Sequence, residues 1–129
     1  MYTYIDLIPD NPEIIQLGIN EKSPMTLLIK TNRNGFSGFG SIYFNLLSLK
    51  KMRKDFSDFL NFKIDKFRID DTDSIDYHIL ITRKMNFIEI SGKIGDYTNV
   101  SLDFFVDFLE EEMVDKTEII KLINQIPID

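Results

Sequence analysis

Carboxylates make up most of the side chains in this sequence that could take part in acid–base or metal chemistry. The 129 residues include no cysteine and a single histidine, His78. Without cysteine there can be no disulfide framework, thiolate metal site or cysteine nucleophile, and a Ser-His-Asp triad has only one possible base. Asp103 and Asp107 are four residues apart on a predicted strand, about 13 Å, which is too far for a pair of glycosidase carboxylates. We therefore predict no catalytic residue, no metal site and no cofactor, and we expect the protein not to be an enzyme.

Two short segments resemble ligand-binding loops but lack the required spacing. The glycines between positions 35 and 40 lack the Gly-Lys-Ser/Thr ending of a phosphate-binding loop and the G-x-G-x-x-G spacing of a dinucleotide-binding turn. They indicate a strand that bulges or is closely approached by another part of the chain. The acidic stretch that starts at Asp71 has Asp76 and Thr82 where a calcium loop requires glycine and glutamate. A solvated turn is therefore expected there.

Net charge divides unevenly along the chain. Residues 1–64 contain eight Lys/Arg and six Asp/Glu, whereas residues 65–129 contain seven Lys/Arg and fifteen Asp/Glu. This acidity disfavours direct binding to nucleic acid and favours a basic partner, although the simpler alternative is that it only keeps the protein soluble. The candidate partner-binding residues are acids of the second half, in predicted turns or on the polar face of a strand: Asp70, Asp71, Asp73, Asp76, Asp103, Asp107, Glu110, Glu111 and Glu112.

Acids are not required for folding at such turn positions, since turns accept Asn, Ser and Gly equally well. Reversing the charge of Asp71, Asp73, Glu111 and Glu112 is therefore expected to leave the fold intact. The same change should slow association with a basic partner, because charges at the rim of an interface act mainly on the association rate and its salt dependence.

Apolar residues alternate with polar ones along most of the chain, which predicts strands. The alternating segments are 15–19, 25–30, 36–44, 67–69, 75–81, 88–94 and 98–109. Short polar turns separate most of them, which favours antiparallel pairing. His78 lies between apolar positions, so its side chain is expected on the polar face of its strand.

Two other segments have helical periodicity. The first, at about 48–61, has Ser48 as its predicted N-cap. The second, at about 116–126, follows Asp115, whose spacing to Glu118 is that of a capping box. The apolar stripe of the first helix consists of Leu49, Met52, Phe56, Phe59 and Leu60.

Together these elements predict a single α+β domain over residues 1–129. Its mainly antiparallel sheet has about seven strands, with a central and a C-terminal helix packed on one face. No internal repeat is evident in the sequence. No segment resembles a targeting signal or a membrane helix, so we expect a cytoplasmic protein that does not bind membranes.

The second half also resembles a known family. "IEISGKIGD", "VSLDFFVDF" and "DKTEIIKLINQIP" resemble the closing strands and helix of WapI-type immunity proteins, which belong to bacterial polymorphic-toxin systems. The amphipathic segment "LSLKKMRKDFSDFL" is similar to the central helix of that family, so the resemblance spans about residues 12–127. The corresponding positions near the C-terminus are Leu102, Phe104, Val106, Asp115, Lys116 and Thr117.

The resemblance implies a small cytosolic protein that binds and neutralises a cognate toxin domain, and it implies no catalytic residue. Such a toxin is often basic, as a nuclease is, and would meet the acidic half of this chain. The alternative is a small-ligand-binding or dimeric scaffold module that uses the exposed face of the sheet, where Phe87, Phe105 and Tyr43 are expected. The sequence leaves the oligomeric state open.

Overall fold

The computed structural model describes residues 2–33, 36–95 and 101–128. Over these residues the chain has eight strands and two α-helices, which confirms the predicted α+β class and its antiparallel sheet. The strands are β1 (Tyr2–Asp6), β2 (Ile15–Asn20), β3 (Thr26–Arg33), β4 (Phe36–Tyr43), β5 (Lys66–Asp70), β6 (His78–Lys84), β7 (Phe87–Gly95) and β8 (Ser101–Leu109). The helices are α1 (Leu46–Leu60) and α2 (Lys116–Asn124), and a 3₁₀ helix, Glu110–Glu112, lies between β8 and α2.

The element order repeats. Strands β1 to β4 pair in sequence as an antiparallel meander and are followed by α1, and strands β5 to β8 do the same before α2. The two meanders join where Ser41 of β4 pairs with Gly95 of β7. This repeat of structure is absent from the sequence patterns because the halves share the order of their elements but few residues, as FSGFGSIY in β4 and SLDFFVDFL in β8 illustrate.

Both halves and both helices contribute to one apolar core. Leu17 and Ile29 come from the first half, Ile79 and Ile90 from the second, and Phe59 from α1, and all five are buried. They line a cavity of about 20 Å³, which has room for roughly one water molecule. This cavity thus has no space for a larger ligand, and the candidate residues described below lie outside it. None of the helices in the described residues is both long and apolar enough to cross a membrane.

Helix α1 begins earlier than predicted. Its N-cap is Asn45, whose side chain accepts from the backbone N–H of Ser48, while the Ser48 hydroxyl accepts from the Asn45 N–H. Ser48 is therefore the third helical residue of a capping box, and its prediction as the N-cap is wrong. The predicted apolar stripe of this helix is confirmed, since all five of its residues are buried.

Helix α2 follows Asp115, which is confirmed as its N-cap by the hydrogen bond from the Thr117 N–H. The helix ends at Asn124 rather than near 126. The Arg53 side chain of α1 donates to the backbone carbonyls of Ile123 and Ile126. A cation at the end of a helix is favoured by the helix dipole, and here it adds a charged donor to the terminal carbonyls.

The structure tests two of the predictions about individual strands. Segment 101–109 is a strand, as its strict alternation indicates, and the predicted positions 98–100 lie outside the described residues. Gly40 confirms the expected close approach, because a Cβ atom placed on it would lie 2.7 Å from the Ile94 Cβ.

Candidate functional site

The outer face of strands β5 to β8 carries three of the nine predicted partner-binding acids, Asp70, Asp103 and Asp107. Across these strands the backbone register places Asp70 opposite His78, His78 opposite Lys93, and Lys93 opposite Asp103. Neighbouring strands are about 4.8 Å apart, so Asp70 and Asp103 are separated by roughly 14 Å. His78 is half-buried on this face, as predicted, and its Nδ1 lies 3.0 Å from the backbone oxygen of Asp76.

The segment between β5 and β6, residues 71–77, adds Asp73 and Asp76 to the Asp70 end of this row, and both are exposed. We call the four carboxylates of Asp70, Asp73, Asp76 and Asp103 the acidic end. Asp70 forms an ion pair with Arg68 at 2.7 Å. The acidic end thus unites four of the nine predicted residues.

Asp71 has a different role from its neighbours. Only 7% of its surface is exposed. Its carboxylate accepts from the backbone N–H groups of Tyr43 at 2.9 Å, Asp73 at 2.7 Å and Ser74 at 2.9 Å. Because these donors lose water on folding, they need the carboxylate as their partner. The expectation that Asp71 can be reversed in charge without harm to the fold is therefore wrong.

Further contacts hold loop 71–77 in place. The Thr72 N–H donates to the Tyr43 carbonyl at 2.9 Å, and the Thr72 hydroxyl accepts from the Asn45 N–H at 3.0 Å. At the other end of the loop the Tyr77 ring lies against Gly95, at a distance that leaves no room for a Cβ atom. The loop is thus tied to β4, to the start of α1 and to β7.

The loop presents one large apolar side chain, that of Ile75, which is 94% exposed. The alternation of Ile75 with Tyr77 and Ile79 predicts a strand from residue 75, but β6 begins at His78. The predicted start is wrong because the β5–β6 ladder ends at the pair of Asp70 and His78, and beyond it the chain turns, with the Asp71 carboxylate accepting from the N–H groups of Asp73 and Ser74. In the sequence, the acidic residues that surround Ile75 are a weak indication that its side chain is exposed.

The remaining predicted acids lie elsewhere. Asp107 is half-buried and faces Glu89 across the β7–β8 ladder. Glu111 and Glu112 are exposed in the 3₁₀ helix, about 20 Å farther along β8 than Asp103. The nine predicted residues therefore do not form one surface.

Glu110 is committed to a structural ion pair. Its carboxylate accepts two hydrogen bonds from the Arg83 guanidinium, at 2.8 and 3.0 Å. Burial alone would lower the pKa of Arg83, but the hydrogen bonds and charges of Glu110 and Asp65 raise it. The guanidinium also donates to the Phe59 carbonyl at the end of α1. Glu110 thus joins the second meander to the first helix and is not free for a partner.

A shallow depression of about 140 Å³ adjoins loop 71–77. Its lining includes Tyr43, Asp71, Asp73 and Tyr77. Across residues 2–33, 36–95 and 101–128, no group of three or more His, Asp and Glu side chains is arranged to hold a metal ion.

Comparisons with known proteins bear on the fold. No family model and no curated protein matches the chain. A solved chain from "Crystal structures of trypanosoma bruciei MRP1/MRP2" is similar, with a TM-score of 0.51 and 9% sequence identity. The alignment covers 97% of this chain and 81% of that chain. At this identity the similarity shows a shared fold alone, since one fold serves many functions.

Proposed function

We propose that this chain is an immunity-type protein that binds and neutralises a cognate bacterial toxin domain in the cytoplasm, without catalysis. The observation that carries the proposal is the acidic end, where a loop fixed by buried Asp71 presents exposed Ile75 between Asp73 and Asp76. A basic protein surface with an apolar depression is the partner that fits this combination. A nuclease toxin has such a surface wherever it holds phosphates.

Charge gives the acidic end its selectivity for a basic partner. Lys93 lies in the same row as Asp70 and Asp103, and Arg68 is already paired with Asp70. Asp73 and Asp76 are exposed, so their charges reach solvent. Exposed charges of one sign accelerate the encounter with an oppositely charged surface and suppress encounters with acidic ones.

Ile75 supplies the apolar contact that charges alone do not provide. Interfaces usually depend on a few side chains that become fully buried, and the surrounding polar rim excludes water. Since loop 71–77 is already held by Asp71, Thr72 and Tyr77, little backbone freedom is lost on binding. A loop that is already ordered in the free protein loses less conformational entropy on binding than a loop that becomes ordered only when the partner binds.

The toxin class of the partner rests on the family resemblance. The positions that carry that resemblance near the C-terminus serve the fold: Val106 is buried in β8, and Asp115 caps α2. They are not binding residues, and the binding residues that we propose come from loop 71–77. The acidic end is thus our own assignment for this chain.

Co-expression with the C-terminal domain of the protein encoded immediately upstream tests the proposal. We expect a stable complex on co-purification and protection of cells that express that domain. Ile75→Ser should weaken the complex, whereas Leu47→Ser, at an exposed site on α1, should not. The absence of both complex and protection would refute the proposal.

A further inference from the structure

Strand β1 forms one edge of the sheet. It pairs with β2 on one side, and no strand of the described residues pairs with its other side. Just beyond the strand, the Leu7 N–H donates to the Ile15 carbonyl of β2. Because the backbone groups of successive residues in a strand point to opposite sides, those of Tyr2, Tyr4 and Asp6 point away from β2. Within the described part of the chain, none of these backbone groups has a hydrogen-bond partner.

Two side chains of β1 turn away from this free edge. The Tyr4 ring lies over Gly18 of β2, where it leaves no room for a Cβ atom, and the Lys30 ammonium of β3 lies 5.9 Å from the centre of the ring. The Asp6 carboxylate accepts a hydrogen bond from the Gln16 side chain of β2 at 2.5 Å. Both side chains thus lean over the sheet and leave the free backbone groups of the edge uncovered.

The apolar core is incompletely covered at β1. The register places Ile5 beside Leu17 of β2, and Leu17 beside Ile29 of β3. Leu17 and Ile29 are 4% and 1% exposed, whereas Ile5 is only half-buried at the margin of the core. A further strand beside β1 would bury more of Ile5 if it placed an apolar side chain on the same face.

The opposite edge of the sheet is protected in a way that β1 is not. Strand β5 ends the strand order there, and every exposed position on it carries a charge: Lys66, Arg68 and Asp70. Charged side chains, especially lysine, and proline are the usual means by which an edge strand avoids pairing with another chain. Strand β1, YTYID, contains neither lysine nor proline, and its one charged side chain, Asp6, is bonded to Gln16.

We propose that β1 is the docking edge for an extended segment of a partner protein, which adds a strand to the sheet. The free backbone groups select this occupant, because a row of N–H and C=O groups at strand spacing is matched by another extended backbone. The five residues of β1 suit a segment of about five residues. Alternate side chains of that segment are apolar, so that they pack beside Ile5 on the core side. The inference does not depend on the acidic end, since β1 belongs to the first meander and the acidic end to the second.

Amide hydrogen exchange of the full chain, followed by NMR, tests the inference. The probe is a synthetic peptide with the sequence of residues 13–21, EIIQLGINE, because β2 already pairs with β1 and has apolar residues at the required alternate positions. On saturation with the peptide, we expect exchange of the Tyr4 and Asp6 amides to slow by about tenfold or more. The Thr3 and Ile5 amides, which already point to β2, should not change.

A peptide of the same sequence, N-methylated at its leucine and at the glycine that follows, is the matched control. It keeps every side chain but lacks one backbone donor on each side of the strand, so we expect it to slow neither amide.

Two substitutions at one position separate the backbone of the edge from its side chain. Tyr4→Pro removes an N–H that points away from β2, so it breaks no bond of the native ladder, and proline is tolerated on such an edge. Tyr4→Thr removes the same ring but keeps the N–H. We expect Tyr4→Pro to abolish the effect of the peptide on the Asp6 amide, and Tyr4→Thr to retain it.

Four results would overturn the inference. The first is a peptide that leaves the Tyr4 and Asp6 amides unchanged, and the second is an equal effect of the N-methylated peptide. The third is an equal response of Tyr4→Pro and Tyr4→Thr. The fourth is slowed exchange without peptide that increases with protein concentration, which would make a second copy the occupant. Because the toxin complex tests the acidic end separately, either proposal can fail while the other stands.

Discussion

At the scale of single residues, Asp71 has a structural role that the acids around it do not share. In the sequence it is one of three aspartates in the predicted turn at 70–74, and turn chemistry alone gives no reason to distinguish it. In the structure it accepts three backbone hydrogen bonds and is buried, whereas Asp73 and Asp76 are exposed. The difference depends on the approach of Tyr43, which is remote in sequence and so is invisible to local patterns.

We expect Asp71→Asn to lower the free energy of unfolding by about 1.5–3 kcal/mol, because it weakens hydrogen bonds to a charged acceptor and introduces an amide among three donors. Asp73→Asn, two residues away and exposed, should change it by less than about 0.5 kcal/mol. Urea unfolding at pH 7 measures both. Equal effects of the two substitutions would show that Asp71 does not hold the loop.

At the scale of secondary-structure elements, the sequence predicts helices better than strand ends. The stripe of α1 and the cap of α2 are local patterns, and both are confirmed. Strand β1 has no such pattern, since Tyr2 and Tyr4 share one side with Asp6. Strand β6 also starts later than alternation predicts, because the chain turns through Asp71 to Ser74 on the side-chain hydrogen bonds of Asp71 and the ladder begins only at His78. The candidate acids could be identified from the sequence. The end of the sheet at which each acid lies depends on the strand register, which the sequence patterns do not give.

Phe56 attaches α1 to the sheet of the second half. It is buried, and its ring meets that of Phe67 on β5 edge to face, with centroids 4.9 Å apart. We expect Phe56→Ala to destabilise the protein by about 3–5 kcal/mol, through lost burial and the cavity left behind. Leu47→Ala on the same helix, at an exposed site, is the control and should have little effect. Thermal or urea unfolding distinguishes them, and similar losses would contradict the assigned face of α1.

We expect the Asp115 cap of α2 to make the free energy of unfolding depend on pH under acidic conditions. Hydrogen bonds from the backbone N–H and hydroxyl of Thr117 hold the pKa of Asp115 below its usual range. The folded state thus binds this proton less readily than the unfolded state. The cap therefore contributes fully above the unfolded pKa, about 3.9, and its contribution is lost as pH falls through the lower folded pKa.

Asp115→Asn tests this dependence, because asparagine caps a helix about as well as aspartate but does not titrate. We expect similar unfolding free energies for the variant and the wild type at pH 7. Between pH 4 and pH 2 the variant should lose stability less steeply. Parallel curves over that range would show that the Asp115 carboxylate does not favour its charged form in the folded state.

At the scale of the whole molecule, the two halves share an architecture but differ in charge. All four residues of the acidic end belong to the second meander and to the loops that join its strands, and none belongs to the first. The charge excess of residues 65–129 is only partly a matter of solubility: Asp71 and Glu110 serve the fold, and we propose that the acidic end serves recognition.

Stopped-flow association with the toxin domain encoded upstream tests the central claim, that the acidic end recruits a basic partner. The pair of variants is Asp73→Lys with Asp76→Lys, and Asp10→Lys with Glu13→Lys. Both change net charge equally at exposed sites, but only the first alters the acidic end. At low salt we expect the first to slow association by about tenfold or more relative to the second, and the gap to close as salt screens the charges. An association rate that is indifferent to salt and the same for both variants would contradict the claim.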